Sequence, residues 1–216
     1  MEPFASKYRP NNLDEFIGQE HLVGQGMPIR KFIETNNIPS MIYWGPPGTG
    51  KTSLAYIISK SVNAEFYKLS AVMSGKAKLL EVVKKAMQSQ KENSLLGYSK
   101  TILFLDEIHR WNKSQQDTLL PYVEKGVIIL IGATTENPSF SLVPALLSRV
   151  RVFTFSKHST EDVKKYLEKL VENIKKEQKI EVDSETLEII ARSSDGDLRT
   201  SANIWKLLIM QLTAKL

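Results

Sequence analysis

Met41-Ile42-Tyr43-Trp44-Gly45-Pro46-Pro47-Gly48-Thr49-Gly50-Lys51-Thr52 runs from an apolar stretch through a glycine-rich turn into a helical pattern. From Gly45 it satisfies G-x-x-x-x-G-K-S/T, the spacing of a phosphate-cradling loop. Residues without Cβ let successive backbone N–H groups curl around an anion. The helix predicted from about Lys51 to Val62 aims its N-terminal dipole at the same charge.

Outward from this loop, apolar runs alternate with helical periodicities. Strands are predicted at Met41–Trp44, Phe66–Leu69, Thr101–Leu105, Val127–Ala133 and Val150–Phe155. Leu79, Leu80, Val83 and Met87 mark a second helix, Ser114 to Val123 reads as a third, and Pro144 to Leu147 as a short one. Upstream, Arg9-Pro10-Asn11-Asn12 reads as a turn, Leu13, Phe16 and Ile17 fall at helical spacing, and Ile29, Phe32 and Ile33 mark a short amphipathic helix. Unbroken apolar strands alternating with helices imply an α/β fold. The expected form is a five-stranded parallel sheet flanked by helices, with phosphate bound at the carboxyl edge of the strands.

Past Phe155 the strands stop. Ser159-x-x-Asp162 resembles a capping box opening a helix with Val163, Tyr166, Leu167, Leu170, Val171 and Ile174 on one face. Asp183 is a plausible N-cap, with Val182 stapled onto Leu187. Asp195-Gly196 ends that helix, and Asp197 can cap another running through Ala202, Trp205, Ile209 and Leu212. The organisation expected is a nucleotide-binding core over 1–156 and a small all-helical lid over 157–216.

Four sets of residues carry chemistry. Lys51 is expected to reach β- and γ-phosphates, and Thr52 to offer its hydroxyl to Mg²⁺. Ile102-Leu103-Phe104-Leu105 ends in Asp106-Glu107. Asp106 at a strand end suits contact with the metal, and Glu107 suits deprotonation of an attacking water. Thr134, Thr135 or Asn137, at the end of another buried strand, can hold that water or the γ-phosphate; ordinary turn chemistry is the competing reading. An arginine that reaches a γ-phosphate spreads transition-state charge, but Arg149, Arg151 and Arg199 by themselves read as surface charges. Trp111, beside Arg110 and Lys113, can stack on a DNA base or pack against the helix that follows.

Tyr8-Arg9-Pro10, the run from Leu13 to Leu22, Asp106 to Arg110, Asn112 to Asp117 and Gly132 to Phe140 resemble, together with the motifs above, the AAA+ ATPases. Within them the chain is similar to the family of bacterial replication-associated recombination proteins. That family is related to clamp loaders and to the Werner-helicase-interacting protein. The resemblance implies that Tyr8, Arg9, Pro10, Ile17 and Gly18 line the adenine. It implies that Gly45, Pro46, Pro47, Gly48, Thr49, Gly50, Lys51, Thr52 and Ser53 hold the phosphates of ATP. Thr134 or Thr135 would be a first sensor and Arg199 a second. Arg149 would be a finger acting on a neighbouring subunit's ATP. It further implies an oligomeric, DNA-stimulated ATPase acting at forks and at single-stranded or gapped DNA, with single-strand-binding protein or other replication proteins as partners. Such proteins carry a further C-terminal assembly region that this sequence lacks. The expectation is therefore that this chain alone is monomeric, with Arg149 lacking a neighbour and hydrolysis slow.

Bulk properties narrow the field. Among 216 residues, 42% are hydrophobic and 25% charged, an ordinary globular balance. Cysteine is absent and His21, His109 and His158 lie far apart, so no zinc pattern is present. Met1-Glu2-Pro3-Phe4 has no signal-peptide layout, and the longest apolar stretch is too short to span a bilayer, which gives a cytoplasmic expectation. The net charge of +5 is compatible with a phosphate-bearing partner. Competing readings are a helicase, because Asp106-Glu107-Ile108-His109 spells D-E-x-H, a clamp-loader subunit or Holliday-junction motor, and a non-hydrolysing scaffold. A helicase of that kind needs a second nucleotide-clasping domain, which the helical residues after Phe155 cannot supply.

Overall fold

The computed structural model describes residues 8–92, 100–175 and 182–213. Met1–Phe4, read above for a leader, and the side chain of Leu212 lie outside what is described. Contacts divide the chain into two compact units.

The larger unit comprises Glu20–Gly45 and Lys51–Phe155. Its strands are β1 (Met41–Trp44), β2 (Glu65–Ser70), β3 (Thr101–Asp106), β4 (Ile129–Thr134) and β5 (Arg151–Thr154). They form a five-stranded sheet in the order β2-β3-β4-β1-β5, and every neighbouring pair is parallel. Ile102 to Leu105 in β3 and Leu130 to Ala133 in β4 are buried, which explains the unbroken apolar runs of the central strands. The sheet is flanked by helices. These are α1 (Glu20–Val23), α2 (Pro28–Glu34), α3 (Lys51–Ser61), α4 (Lys76–Glu92), α5 (Lys113–Asp117), α6 (Leu120–Glu124), α7 (Pro138–Ser141) and α8 (Pro144–Leu147). Leu79, Val82, Val83 and Ala86 of α4 pack into one core with Leu103, Leu105, Leu130 and Leu146.

Two local expectations need correction. Ser114 to Val123 is two short helices, because Pro121 has no N–H to continue the ladder and its ring clashes with the carbonyl four residues earlier. Pro121 sits instead in the first turn of α6, where the missing donor costs nothing. Leu13, Phe16 and Ile17 lie in a turn and irregular chain, with no helix. Of the two readings of Trp111, packing is the one that holds: it is 2% exposed and its indole N–H donates to the Ser74 carbonyl at 2.9 Å. A 3₁₀ turn at Ile108–Arg110 and helices α1 and α7 add to the expected elements.

The second unit groups the leading segment through Gln19 with Pro46–Gly50 and the residues from Ser156 onward. Its helices are α9 (Thr160–Lys175), α10 (Ser184–Ser193) and α11 (Leu198–Thr213). Ser159 Oγ accepts from the Asp162 N–H at 3.1 Å, and Asp162 accepts in return from the Ser159 N–H at 3.3 Å. Asp183 caps α10 through the Thr186 N–H at 2.6 Å. Val163, Leu167 and Leu170 of α9 meet Leu187 and Ile190 of α10 and Ala202 and Trp205 of α11 in one apolar cluster, with Tyr8 packed against it. No helix among the described residues is long and apolar enough to cross a membrane.

Candidate active site

Parallel pairing gathers the chemistry-bearing residues of the larger unit at one edge of the sheet. Trp44, the last residue of β1, pairs with Thr134, the last of β4, and Asp106 ends the adjacent β3. The turn after β1 begins at Gly45, whose N–H donates to the Thr134 carbonyl at 3.1 Å. Helix α3 opens at Lys51, and the Lys51 ammonium folds back to donate to the Gly45 carbonyl at 2.8 Å. A cation thus covers the root of the glycine loop. Thr52 and Ser53 follow in the first turn of α3, where backbone N–H groups have no partner within the helix.

Asp106 pairs with Ser70 across β2 and β3, and its carboxylate lies 3.9 Å from the Lys68 ammonium. Glu107 adopts a left-handed backbone at φ 55, a conformation that a residue with a side chain holds only when its surroundings impose it. The surroundings are visible. Ile108 is fully buried, and a Cβ on Gly132 of β4 would stand 2.7 Å from the Ile42 side chain and 3.0 Å from that of Ile108. Only a glycine lets the 3₁₀ turn press this closely onto the sheet.

The polar residues ending β4 separate into distinct environments. Thr134 is 1% exposed, and its hydroxyl sits 2.9 Å from His109 Nδ1 and accepts from the Glu136 N–H at 3.0 Å. Thr135 is exposed. Asn137 caps α7 by accepting from the Ser139 N–H at 3.0 Å, so its side chain already has the turn role that was the competing reading.

The sequence offers His109 as an absent zinc ligand, as the last letter of D-E-x-H and as part of a matching run, with no role of its own. In the structure it lies among Glu107, Thr134 and Glu136. Its spacing, three residues after the strand-end carboxylate Asp106, was the available signal. Gln116 was likewise only part of a matching run. It is 2% exposed and joins three segments: its amide donates to the Trp111 and Ser141 carbonyls at 2.9 and 3.1 Å and accepts from the Val143 N–H at 2.8 Å.

Arg149 lies elsewhere. It directly precedes β5, whose first residue, Arg151, pairs with Met41 at the amino end of β1. It therefore stands at the opposite edge of the sheet from Gly45 and Asp106. Its guanidinium pairs with Glu124 and donates to the Ala145 carbonyl at 2.6 Å.

In the second unit the glycine loop meets the start of α11. The Leu198 N–H donates to the Gly48 carbonyl at 3.3 Å. Gly48 has φ +68, and a Cβ there would lie 1.8 Å from Asp197 Oδ1, so both backbone conformation and space demand glycine. The same Asp197 oxygen caps α11, accepting from the Arg199 and Thr200 N–H groups at 2.7 and 3.0 Å. Arg199 is thus in the helical turn whose cap abuts the loop, with its side chain exposed. Phe16 is buried near Gly50. Gly18, at φ +71, leaves room for the His158 ring, 2.5 Å from where a Cβ would stand. Next to it, the Gln19 amide exchanges hydrogen bonds with the Ser156 backbone at 2.7 and 3.0 Å. Burial pushes the His158 pKa down, against the pull of Asp162, a backbone hydrogen bond with Thr49, and Asp197. Tyr8 packs on the lid cluster; Arg9, Pro10 and Ile17 are half-buried.

The arrangement suits a triphosphate with a divalent cation. Within the larger unit the Lys51 ammonium sits on the Gly45 carbonyl, and Asp106 and Thr52 supply oxygen donors of the kind Mg²⁺ takes.

The AAA family model, ATPase family associated with various cellular activities, matches residues 41–158. Replication-associated recombination protein A of Haemophilus influenzae is 45% identical over 96% of this chain and 46% of its own length. The Escherichia coli K12 protein of the same name is 44% identical over 96% and 46%. ATPase WRNIP1 of Dictyostelium discoideum is 43% identical over 96% of this chain and 23% of its own. The chain thus spans about half the length, or less, of these curated relatives. Among solved structures, the Thermotoga maritima RuvB Holliday junction branch migration motor superposes with a TM-score of 0.77 at 25% identity, covering 95% of this chain and 66% of that one.

Proposed function

The chain belongs to the AAA family of ATPases, and from that premise we propose that it binds Mg²⁺·ATP and hydrolyses it in response to DNA, as the motor module of a replication-associated recombination protein. The observation that carries this is the shared strand edge. Gly45 and Lys51, Asp106 and Glu107, and Thr134 stand at the ends of three adjacent parallel strands.

In this reading the loop from Gly45 to Thr52, with Ser53, offers N–H groups to the phosphates, and the Lys51 ammonium swings from the Gly45 carbonyl to a phosphate oxygen. Thr52 and Asp106 hold Mg²⁺, which supplies charge neutralisation on the phosphates when bound. Glu107 orients water and accepts its proton. Thr134 or Thr135 reports on the terminal phosphate, and Tyr8, Arg9, Pro10, Ile17 and Gly18 hold the base. Arg199 contributes positive charge from the turn capped by Asp197. Arg149, at the far edge of its own sheet, serves the site of a second copy. In the full-length form a homo-oligomer follows from that, with DNA forks, single-stranded or gapped DNA and other replication proteins, single-strand-binding protein among them, as partners.

Phosphate release from Mg²⁺·ATP is measured with no DNA and with single-stranded, gapped and forked DNA. The expected result is release that DNA accelerates. No release under any condition would leave a non-hydrolysing scaffold. The likeness to RuvB keeps a junction motor as a second reading, and ATP-driven branch migration of a four-way junction by the chain would favour it.

A further inference from the structure

The side-chain environment of Glu107 links it to β4. His109 Nε2 lies 3.3 Å from Glu107 Oε2 and 3.5 Å from Glu136 Oε1, while Nδ1 lies 2.9 Å from Thr134 Oγ1. The ring is enclosed. Its side chain is 3% exposed, and it rides on the 3₁₀ turn that Ile108 anchors against Gly132. One imidazole therefore joins the carboxylate after β3 to the hydroxyl at the end of β4.

Nε2 lies at ion-pair distance from two carboxylates, and the tautomer with its hydrogen on Nε2 suits both of them. In the neutral ring Nδ1 then holds a lone pair, and the Thr134 hydroxyl must donate to it. That hydroxyl has one proton, and the Glu136 carbonyl competes for it at 3.2 Å. A phosphate oxygen or water that takes the Thr134 proton leaves Nδ1 facing an oxygen with no hydrogen to give. The ring must then turn, and its hold on Glu107 changes with it.

We propose that His109 is a positioning residue that couples the hydrogen bonding of Thr134 to the orientation of the Glu107 carboxylate. The proposal rests on the reading of Glu107 as the residue that orients water. It makes the strand that faces the terminal phosphate, and not phosphate binding itself, the control on hydrolysis.

The test compares wild type, His109→Ala, His109→Gln, Thr134→Val and the His109→Ala/Thr134→Val double variant. Each chain is assayed with forked DNA for its single-turnover rate and its Mg²⁺·ATP affinity. His109→Ala is expected to slow turnover roughly tenfold, within the range for hydrogen-bonded neighbours. Its affinity should stay within about twofold, as for an interaction that acts on the chemical step alone. His109→Gln keeps an N–H for the carboxylate and should recover part of the rate, which also guards against misfolding of the alanine variant. The double variant should be no slower than the slower single one. Multiplying effects, an affinity lost in step with rate, or an unchanged rate in His109→Ala would overturn the proposal. A wild-type chain that binds Mg²⁺·ATP yet never turns it over would reject hydrolysis itself and the proposal with it. That failure shows in the unmutated chain, so the two are distinguishable.

Discussion

His158 shows how one residue is set by several neighbours. The sequence offers a lone histidine three residues past a strand pattern, which is uninformative. The fold leaves it 6% exposed beside Gly18, with its pKa lowered mainly by burial. The unfolded chain therefore takes up a proton as pH falls below about 6.5, while the native ring resists it, so stability declines on the acid side. Melting temperatures from about pH 7 to about pH 5.5 should fall more steeply for wild type than for His158→Phe; equal slopes would contradict this. Residues set by chain-local chemistry were legible in advance: the glycine at 48 by loop spacing, Asp183 and Asp197 by the helices they cap. His109, Gln116 and His158 were not, because their partners come from strands and turns far away in sequence.

Among elements, every strand was expected within two residues of where it lies; for β3 and β4 the reason is that a strand buried on both faces writes a continuous apolar run. Short helices were harder. The break between α5 and α6 was signalled by Pro121, but apolar periodicity through Leu119, Leu120 and Val123 masked it. What locks the broken segment is Gln116, which ties Trp111 to Ser141 and Val143. Gln116→Leu keeps the volume but strands two carbonyls and an N–H in the core, at about 1–3 kcal/mol for each unmet group. Urea unfolding should therefore show a loss of roughly 3 kcal/mol or more, and a loss under about 1 kcal/mol would show that the segment is held by packing alone.

At the scale of the whole molecule, parallel topology sorts the candidate residues. Strands that all point one way put Gly45, Asp106 and Thr134 at one edge and Arg149 at the other. Sequence order could not reveal that separation directly, since Arg149 lies nearer to Thr134 along the chain than Lys51 does. The glycine loop, residues Pro46–Gly50, groups with the leading segment through Gln19 and with the residues from Ser156. The proposed hydrolysis of bound ATP depends on Glu107, which acts after binding is complete. It is tested most directly by pre-binding radiolabelled Mg²⁺·ATP to wild type and to Glu107→Gln, adding forked DNA, and following conversion to ADP in a single turnover. Both chains should bind, and only the wild type should convert its nucleotide, at a rate on the order of a hundredfold or more above the variant. Equal rates in the two chains would contradict it.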